Sequence, residues 1–333
     1  MTANRKPRVL VTREVFDETL DYLRQHCEVI DNQGDLPYAP EALAKALAAC
    51  DGLMCSLTDR VDATLLAAAP QLKAVANIAV GYNNIDVPAC TARGVMATNT
   101  PGVLDDSTAD LAWTLMLGAA RRITEVERRV RSGDWTGWRL KQWLGVDVHH
   151  ATLGIVGMGR IGQAIARRAA GFDMKVVYHN RKPIAPELER RCNASYVSFD
   201  ELLAQSDFIV LQVPYSPATH HLIGAAQLAK MKPSAILINS TRGGVVDDAA
   251  LVAALKNGTI RAAGLDVYEN EPKLNPEFLA LDNVVLAPHV GSSTEATRKA
   301  MAMLAAKNLV AALRGEIPPN LLNPEVRPGV RSD

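Results

Sequence analysis

Three glycines, Gly157, Gly159 and Gly162, stand in the spacing G-x-G-x-x-G between an apolar run, Leu153-Gly154-Ile155-Val156, and a helical pattern opening with Ile161 and Gln163. Alone the spacing is weak, because glycines gather in many turns; a strand before it and a helix after it make it specific. Gly157 then permits a tight turn, Gly159 lets a pyrophosphate approach the backbone, and Gly162 lets helix and strand pack closely. The phosphates meet a helix N-terminus, where free N–H groups and the helix dipole favour an anion. The chemistry implied is dinucleotide binding, with Met158, Arg160 and Ile161 completing the turn.

An NAD-selective site usually carries Asp or Glu at the end of the second strand, about 20 residues on, to bind the ribose 2′-hydroxyl. This chain reads Tyr178-His179-Asn180-Arg181-Lys182, with Asn180 at the acid's position and two cations after it. A carboxylate there would repel a 2′-phosphate, whereas Arg181 can make charge-assisted hydrogen bonds to one. The expected cofactor is NADP (as NADPH) in preference to NAD, with NAD possible. The plainer reading of Arg181 and Lys182 is a solvated basic loop.

Three further candidates each follow a predicted strand: Arg242 after Asn239, Glu271 in Asp266-Val267-Tyr268-Glu269-Asn270-Glu271-Pro272, and His289 in Pro288-His289-Val290-Gly291-Ser292. Singly, they read as a surface cation, a solvated acid and a structural histidine. In open α/β sheets, however, ligands collect beyond the carboxyl ends of the strands, so all three loops face the crevice of the glycine turn. Together they supply what ketone reduction needs: a cation to anchor a carboxylate, a proton donor, and an acid that keeps the donor charged.

The elements that must position these residues are short apolar runs alternating with helical patterns, both before residue 100 and again from Thr152. That rhythm predicts parallel sheets covered on both faces. Six strands are expected in the second half, at Thr152–Val156, Lys175–His179, Phe208–Val213, Ala235–Asn239, Ala262–Val267 and Val284–Ala287. One long helix is expected between the halves, capped by Asp106 or Ser107 and running towards Arg131; another spans Thr294–Leu313, and the polar tail from Arg327 should fray. The fold class is α/β with two Rossmann-like lobes: a doubly wound dinucleotide-binding domain over 106–294, inserted in a flavodoxin-like substrate domain of 1–105 plus 295–333.

Composition limits the alternatives. The 333 residues favour two domains, and 48% hydrophobic with 22% charged residues is ordinary for a globular protein. Thirty-six basic residues balance 36 acidic ones, so nucleic acid and anionic membranes are not expected partners. No apolar stretch approaches a membrane span or a signal sequence, so a cytoplasmic location is expected. The five cysteines lack paired spacings and read as reduced, mostly buried thiols; no metal site is expected. Trp135, Trp138 and Trp143 cluster outside any periodicity and read as a packed or interfacial patch.

The segments Gly157 to Gly162, Asn239-Ser240-Thr241-Arg242-Gly243-Gly244-Val245-Val246-Asp247, Gly264 to Pro272 and Pro288 to Ser292 together resemble the D-isomer-specific 2-hydroxyacid dehydrogenases, over nearly the whole chain. Within that family the chain is most similar to the glyoxylate/hydroxypyruvate reductases and the related 2-ketogluconate reductases, through Ala79-Val80-Gly81-Tyr82-Asn83-Asn84-Ile85-Asp86, the tryptophan tract and Asn180-Arg181. The resemblance implies that Arg242 binds the carboxylate and keto oxygen of a small 2-oxo acid, that His289 is the general acid and that Glu271 is its partner. It also implies carboxylate binding by the N–H groups of Val80 and Gly81, with Ser292 nearby, and placement of the nicotinamide carboxamide by Asp266. Thr108, Val213, Pro214, Thr219, Ser240, Thr241 and Gly291 are further expected cofactor contacts, and Arg242 and His289 border the cofactor as well. Relatives dimerise, and Trp138 is the candidate to reach a partner's substrate pocket in a homodimer.

Val80 replaces the lysine of the related phosphite dehydrogenases, and Glu271 the glutamine-based arrangement of formate dehydrogenases, so neither reaction is expected. Two readings stay open beside glyoxylate and hydroxypyruvate reduction: 2-ketogluconate reduction, and a dinucleotide-sensing corepressor.

Overall fold

The computed structural model describes residues 5–326; the tail from Arg327 lies outside them. Two compact units are formed, one from the residues up to Leu104 together with those from Thr294 onward, the other from Asp105–Ser293.

The first unit has five parallel strands, β1 (Arg8–Val11), β2 (Glu28–Ile30), β3 (Gly52–Cys55), β4 (Ala74–Asn77) and β5 (Met96–Thr98), in the order 2-1-3-4-5. This is the flavodoxin-like order. β3, β4 and β5 are buried throughout, which is why they read as continuous apolar runs rather than alternating ones. Helices α1 (Asp17–His26), α2 (Pro40–Leu47), α3 (Ala63–Ala68) and α4 (Val87–Ala92) connect them. The C-terminal helix, Glu295–Leu313, returns to this sheet; its Met301, Ala305, Leu309 and Val310 are buried, and the Thr294 hydroxyl accepts from Thr297 N–H as its cap.

The second unit begins with two helices where the sequence suggests one. α5 (Asp105–Ala120) starts two residues before Ser107, so Asp105 and Asp106 lie in its first turn, where their charge complements the dipole, rather than capping it. α6 (Ile123–Arg131) follows a break at Arg122, which adopts a left-handed φ of 55°. The break is held by a bidentate ion pair from Arg122 to the buried Glu125 carboxylate, at 2.7 and 2.8 Å. That contact offsets the steric cost of the left-handed residue.

The second sheet is built from β6 (Thr152–Val156), β7 (Lys175–His179), β8 (Ala194–Tyr196), β9 (Phe208–Leu211), β10 (Ile236–Asn239), β11 (Ala262–Leu265) and β12 (Val284–Leu286). All pairs are parallel, in the order 12-11-10-9-6-7-8. There are therefore seven strands, not six. β8 is three residues long, with Ser195 and Tyr196 exposed at the sheet edge, too short and too polar to signal itself. Helices α7 (Arg160–Ala169), α8 (Pro186–Cys192), α9 (Phe199–Gln205), α10 (Ala225–Leu228) and α11 (Asp248–Asn257) cover the faces. Strand order reverses between β6 and β9, which makes the space beyond their carboxyl ends the switch point of a doubly wound sheet.

All five cysteines are buried free thiols. Among the described residues no helix is long and apolar enough to cross a membrane. Trp113 is buried and stacks on Phe172 at 4.7 Å; in the tryptophan tract Trp138 is 79% and Trp135 54% exposed, whereas Trp143 is half-buried.

Candidate active site

At the end of β6 the chain turns through Gly157 at φ 105°, where a Cβ would stand 2.4 Å from the carbonyl oxygen of Gln212, just beyond β9. A Cβ on Gly162 would lie 2.3 Å from the Gly157 carbonyl oxygen, so α7 can pack this closely only on glycine. Gly159 differs: it is exposed, and its missing Cβ points into open space. A backbone left uncovered beside the first-turn N–H groups of α7 is the cradle a pyrophosphate requires. Arg160 and Ile161 open that turn, whereas the Met158 N–H is already bonded to Asn180 Oδ1 at 2.7 Å. The turn fits a dinucleotide.

Asn180 therefore does more than stand where an acid is missing. Its side chain ties the end of β7 to the phosphate turn, and its own carbonyl accepts from Tyr196 Oη at 3.2 Å. The strand below is anchored by Tyr178, buried, whose hydroxyl donates to Glu189 at 2.6 Å and accepts from Ile184 N–H at 2.9 Å; burial and the Glu189 bond push this phenol up to about 12. Arg181 and Lys182 follow as exposed cations with no ion pair among the described residues. On the far side of the switch point Gln212 Nε2 donates to Ser240 Oγ at 3.0 Å, and Thr219 Oγ1 closes its own loop onto the Pro214 carbonyl at 2.7 Å.

Arg242 leaves β10 on a loop shaped by Asn239, whose Oδ1 accepts from Thr241 N–H and Oγ1 at 3.2 and 2.8 Å. The Arg242 guanidinium donates to the Thr241 carbonyl at 2.7 Å. Burial lowers its proton affinity, and the charge of Glu271 acts the other way. The next residue must be glycine, because a Cβ on Gly243 would meet the Tyr268 carbonyl oxygen at 1.7 Å. The Arg242 loop thus lies directly on the loop that carries Glu271.

His289 Nδ1 is 2.7 Å from Glu271 Oε2, and Glu271 Oε1 accepts from Tyr268 N–H at 2.9 Å. Burial tends to raise the Glu271 carboxyl, but the bonds from His289 and Tyr268, with the charges of His289 and Arg242, outweigh it and hold the group below the ordinary carboxylate range. The pair engages Nδ1, which leaves Nε2 as the ring's outward nitrogen. His289 adopts a left-handed φ of 56°, and its N–H is held by the Asp266 carbonyl at 2.9 Å.

β11 ends at Leu265, two residues earlier than the apolar run suggests, and this frees Asp266. Its carboxylate is almost fully buried and accepts from Val290 and Gly291 N–H at 2.7 and 2.8 Å. Burial raises this carboxyl, opposed by those two bonds and by the charge of His289. Asp266 thus clamps the His289 loop, with Gly291 packed near Thr108.

In the first unit, Val80 and Gly81 form a loop whose carbonyls are both taken: Asn99 Nδ2 donates to Val80 at 2.8 Å and Asn77 Nδ2 to Gly81 at 3.0 Å. Their N–H groups bond no other described residue. Asn77, Asn99 and Gln212 escape the sequence reading. A polar residue closing a buried apolar strand, as in Ala-Val-Ala-Asn at β4, was the available signal for Asn77.

Within the second unit the structure brings together the glycine turn, Asn180, Arg242, Glu271, His289 and Asp266. Ser292 is half-buried at the end of the His289 loop. Trp138 stands on the exposed segment after α6.

Residues 113–291 match the family model "D-isomer specific 2-hydroxyacid dehydrogenase, NAD binding domain". The chain is 49% identical over 325 residues to a glyoxylate reductase of Thermococcus onnurineus, covering 96% of this chain and 97% of that protein. It is 50% identical over 327 residues to a glyoxylate reductase of Thermococcus litoralis, with 96% and 98% covered. Among solved structures, an NADPH-dependent glyoxylate/hydroxypyruvate reductase from Sinorhizobium meliloti in complex with NADP and malonate superposes with TM-score 0.86 at 33% identity, covering 98% of this chain and all of that one. Nearly full-length likeness at this identity joins the glycine turn, the order of the sheets and the His289–Glu271 pair into one account: the chain belongs to the D-isomer-specific 2-hydroxyacid dehydrogenases and is an enzyme that uses a nicotinamide dinucleotide.

Proposed function

We propose that this enzyme is an NADPH-preferring reductase of small 2-oxo acids, glyoxylate and hydroxypyruvate, to the corresponding 2-hydroxy acids. The observation that carries the reading is the His289–Glu271 pair, a proton donor backed by a carboxylate in the unit that bears the dinucleotide turn. The similarity to the Thermococcus glyoxylate reductases and to the Sinorhizobium glyoxylate/hydroxypyruvate reductase supports the substrate class.

The glycine turn, with the N–H groups of Arg160 and Ile161, holds the pyrophosphate, and Arg181 with Lys182 receives the 2′-phosphate. The bound nicotinamide supplies hydride to C2 of the oxo acid. Arg242 binds the substrate carboxylate and keto oxygen, fixing orientation and offsetting the negative charge that grows on that oxygen. The N–H groups of Val80 and Gly81 donate further hydrogen bonds to the carboxylate. His289 delivers a proton from Nε2 to the oxygen, while Glu271 holds the ring through Nδ1. The exposed apolar side chains Trp135, Trp138, Leu140 and Leu144 on the segment after α6 support a homodimer in which Trp138 approaches the partner's substrate.

A Glu271→Gln variant replaces the charged acceptor that holds His289 Nδ1 with a neutral amide. Its kcat for reduction is expected to fall by about tenfold or more with NADPH affinity close to the parent's, since the proton donor is no longer held in place. A parental kcat would separate Glu271 from the proton donor.

The proposal as a whole is tested by kcat/KM for glyoxylate, hydroxypyruvate, pyruvate and 2-ketogluconate with NADPH and NADH, in the parent and in Arg181→Ala. Glyoxylate and hydroxypyruvate with NADPH should lead. The variant should lose about tenfold or more with NADPH and little with NADH, the worth of a charge-assisted phosphate contact. An unchanged cofactor preference removes Arg181 from the site, and a lead for 2-ketogluconate overturns the substrate assignment.

A further inference from the structure

Among the described residues one group outside the active site gathers three metal-ligating side chains: single ligand atoms of His220, His221 and Glu269 all lie within 4.8 Å of one another. Consecutive side chains normally diverge on helices and strands. Here His221 takes a left-handed φ of 49° with its N–H held by the Gly244 carbonyl at 2.7 Å, and the two imidazoles stack at 3.9 Å.

His221 Nε2 meets Glu269 Oε1 at 2.5 Å. Tyr215 Oη is 3.3 Å from His220 Nδ1, and Asp247 Oδ2 is 3.9 Å from His221 Nδ1. The Tyr215 hydroxyl on His220 is the kind of outer hydrogen bond that orients a metal-binding histidine, and the Asp247 carboxylate places a negative charge near His221. Glu269 is itself fixed, its N–H donating to Asp248 Oδ2 at 3.1 Å.

We propose that His220, His221 and Glu269 bind a divalent transition-metal ion of the zinc, cobalt or nickel class, with solvent in the remaining coordination positions. Two imidazoles and one carboxylate suit such ions, whereas calcium and magnesium favour all-oxygen sites. Ligand atoms around a tetrahedral zinc stand about 3.4 Å apart, so an ion must part the His221–Glu269 hydrogen bond by about 0.9 Å and draw the more distant ligand atom in by up to about 1.4 Å. His220, exposed, can supply the latter by rotating its ring. The bound ion joins the His220–His221 loop to the loop of Glu271, whose carboxylate is held by the neighbouring Tyr268 N–H.

The probe is Co2+ added to the chelator-treated full-length enzyme, read by its visible absorption band and by thermal unfolding. One ion per chain is expected, displaced by Zn2+, with the unfolding temperature rising with metal concentration. His220→Ala and Glu269→Gln should each weaken binding by more than the about tenfold expected for Tyr215→Phe, which removes only an outer partner. His220 is exposed and Glu269→Gln is isosteric, and dinucleotide binding by both variants checks their folding. His289→Asn should keep the band. The proposal is overturned if His220→Ala binds Co2+ as the parent does, or if His289→Asn, rather than His220→Ala, abolishes the band.

Discussion

Replacing His289 with asparagine is expected to lower kcat for 2-oxo acid reduction by about 100-fold or more, with NADPH affinity close to the parent's. Asparagine is a better probe than alanine, because His289 sits at φ 56° and a non-glycine residue there costs about 1 kcal/mol or more unless its side chain tolerates the left-handed region. The Asp266 clamp on Val290 and Gly291 holds the backbone on either substitution, so the loss falls on proton transfer and not on loop geometry. Near-parental kcat with glyoxylate would remove His289 from the role of acid.

The second large effect belongs to Arg242. Arg242→Lys should lower kcat/KM for glyoxylate by about 100-fold, a loss typical of removing one preorganised donor from a developing oxyanion. Lysine keeps the charge but has no planar fork, so it cannot bind a carboxylate and the adjacent keto oxygen together while also donating to the Thr241 carbonyl. Both kcat and KM should worsen, since ground-state anchoring and transition-state stabilisation use the same group. A change confined to KM would restrict Arg242 to anchoring, and no change would exclude it from the site.

How far the sequence reaches depends on whether a feature is local. The turn from β6 to α7 is legible because most of its demands fall on neighbours: Gly157 takes a left-handed φ in the turn itself and Gly162 packs on the Gly157 carbonyl, although the contact of Gly157 with Gln212 needs the sheet to exist first. The strand ends carrying Arg242, Glu271 and His289 are legible for the same reason. Asn180 is only half legible; its lack of charge is plain, but its bond to Met158 N–H spans 22 residues and needs the sheet to exist first. The break at Arg122 is hidden because the residues around it suit a helix, and only the ion pair to buried Glu125 reverses that preference.

Long-range partnerships account for the rest. Asn77 and Asn99 hold carbonyls on a loop between them, and nothing in the local pattern says which atoms they meet. His221 and Glu269 lie 48 residues apart, so their contact follows only from two loops folding onto each other. The tryptophan tract divides, Trp135 and Trp138 being exposed and Trp143 half-buried, since pattern alone cannot say which aromatic surface is covered by the same molecule.

The central claim is that hydride passes from the nicotinamide to C2 of a small 2-oxo acid, with the proton from His289. Turnover of glyoxylate with NADPH deuterated at C4 on the transferred face, followed by mass spectrometry of the product, tests it most directly. Glycolate carrying one carbon-bound deuterium at C2 is the predicted result. Glycolate without label, or no turnover of any 2-oxo acid despite bound NADPH, would contradict it.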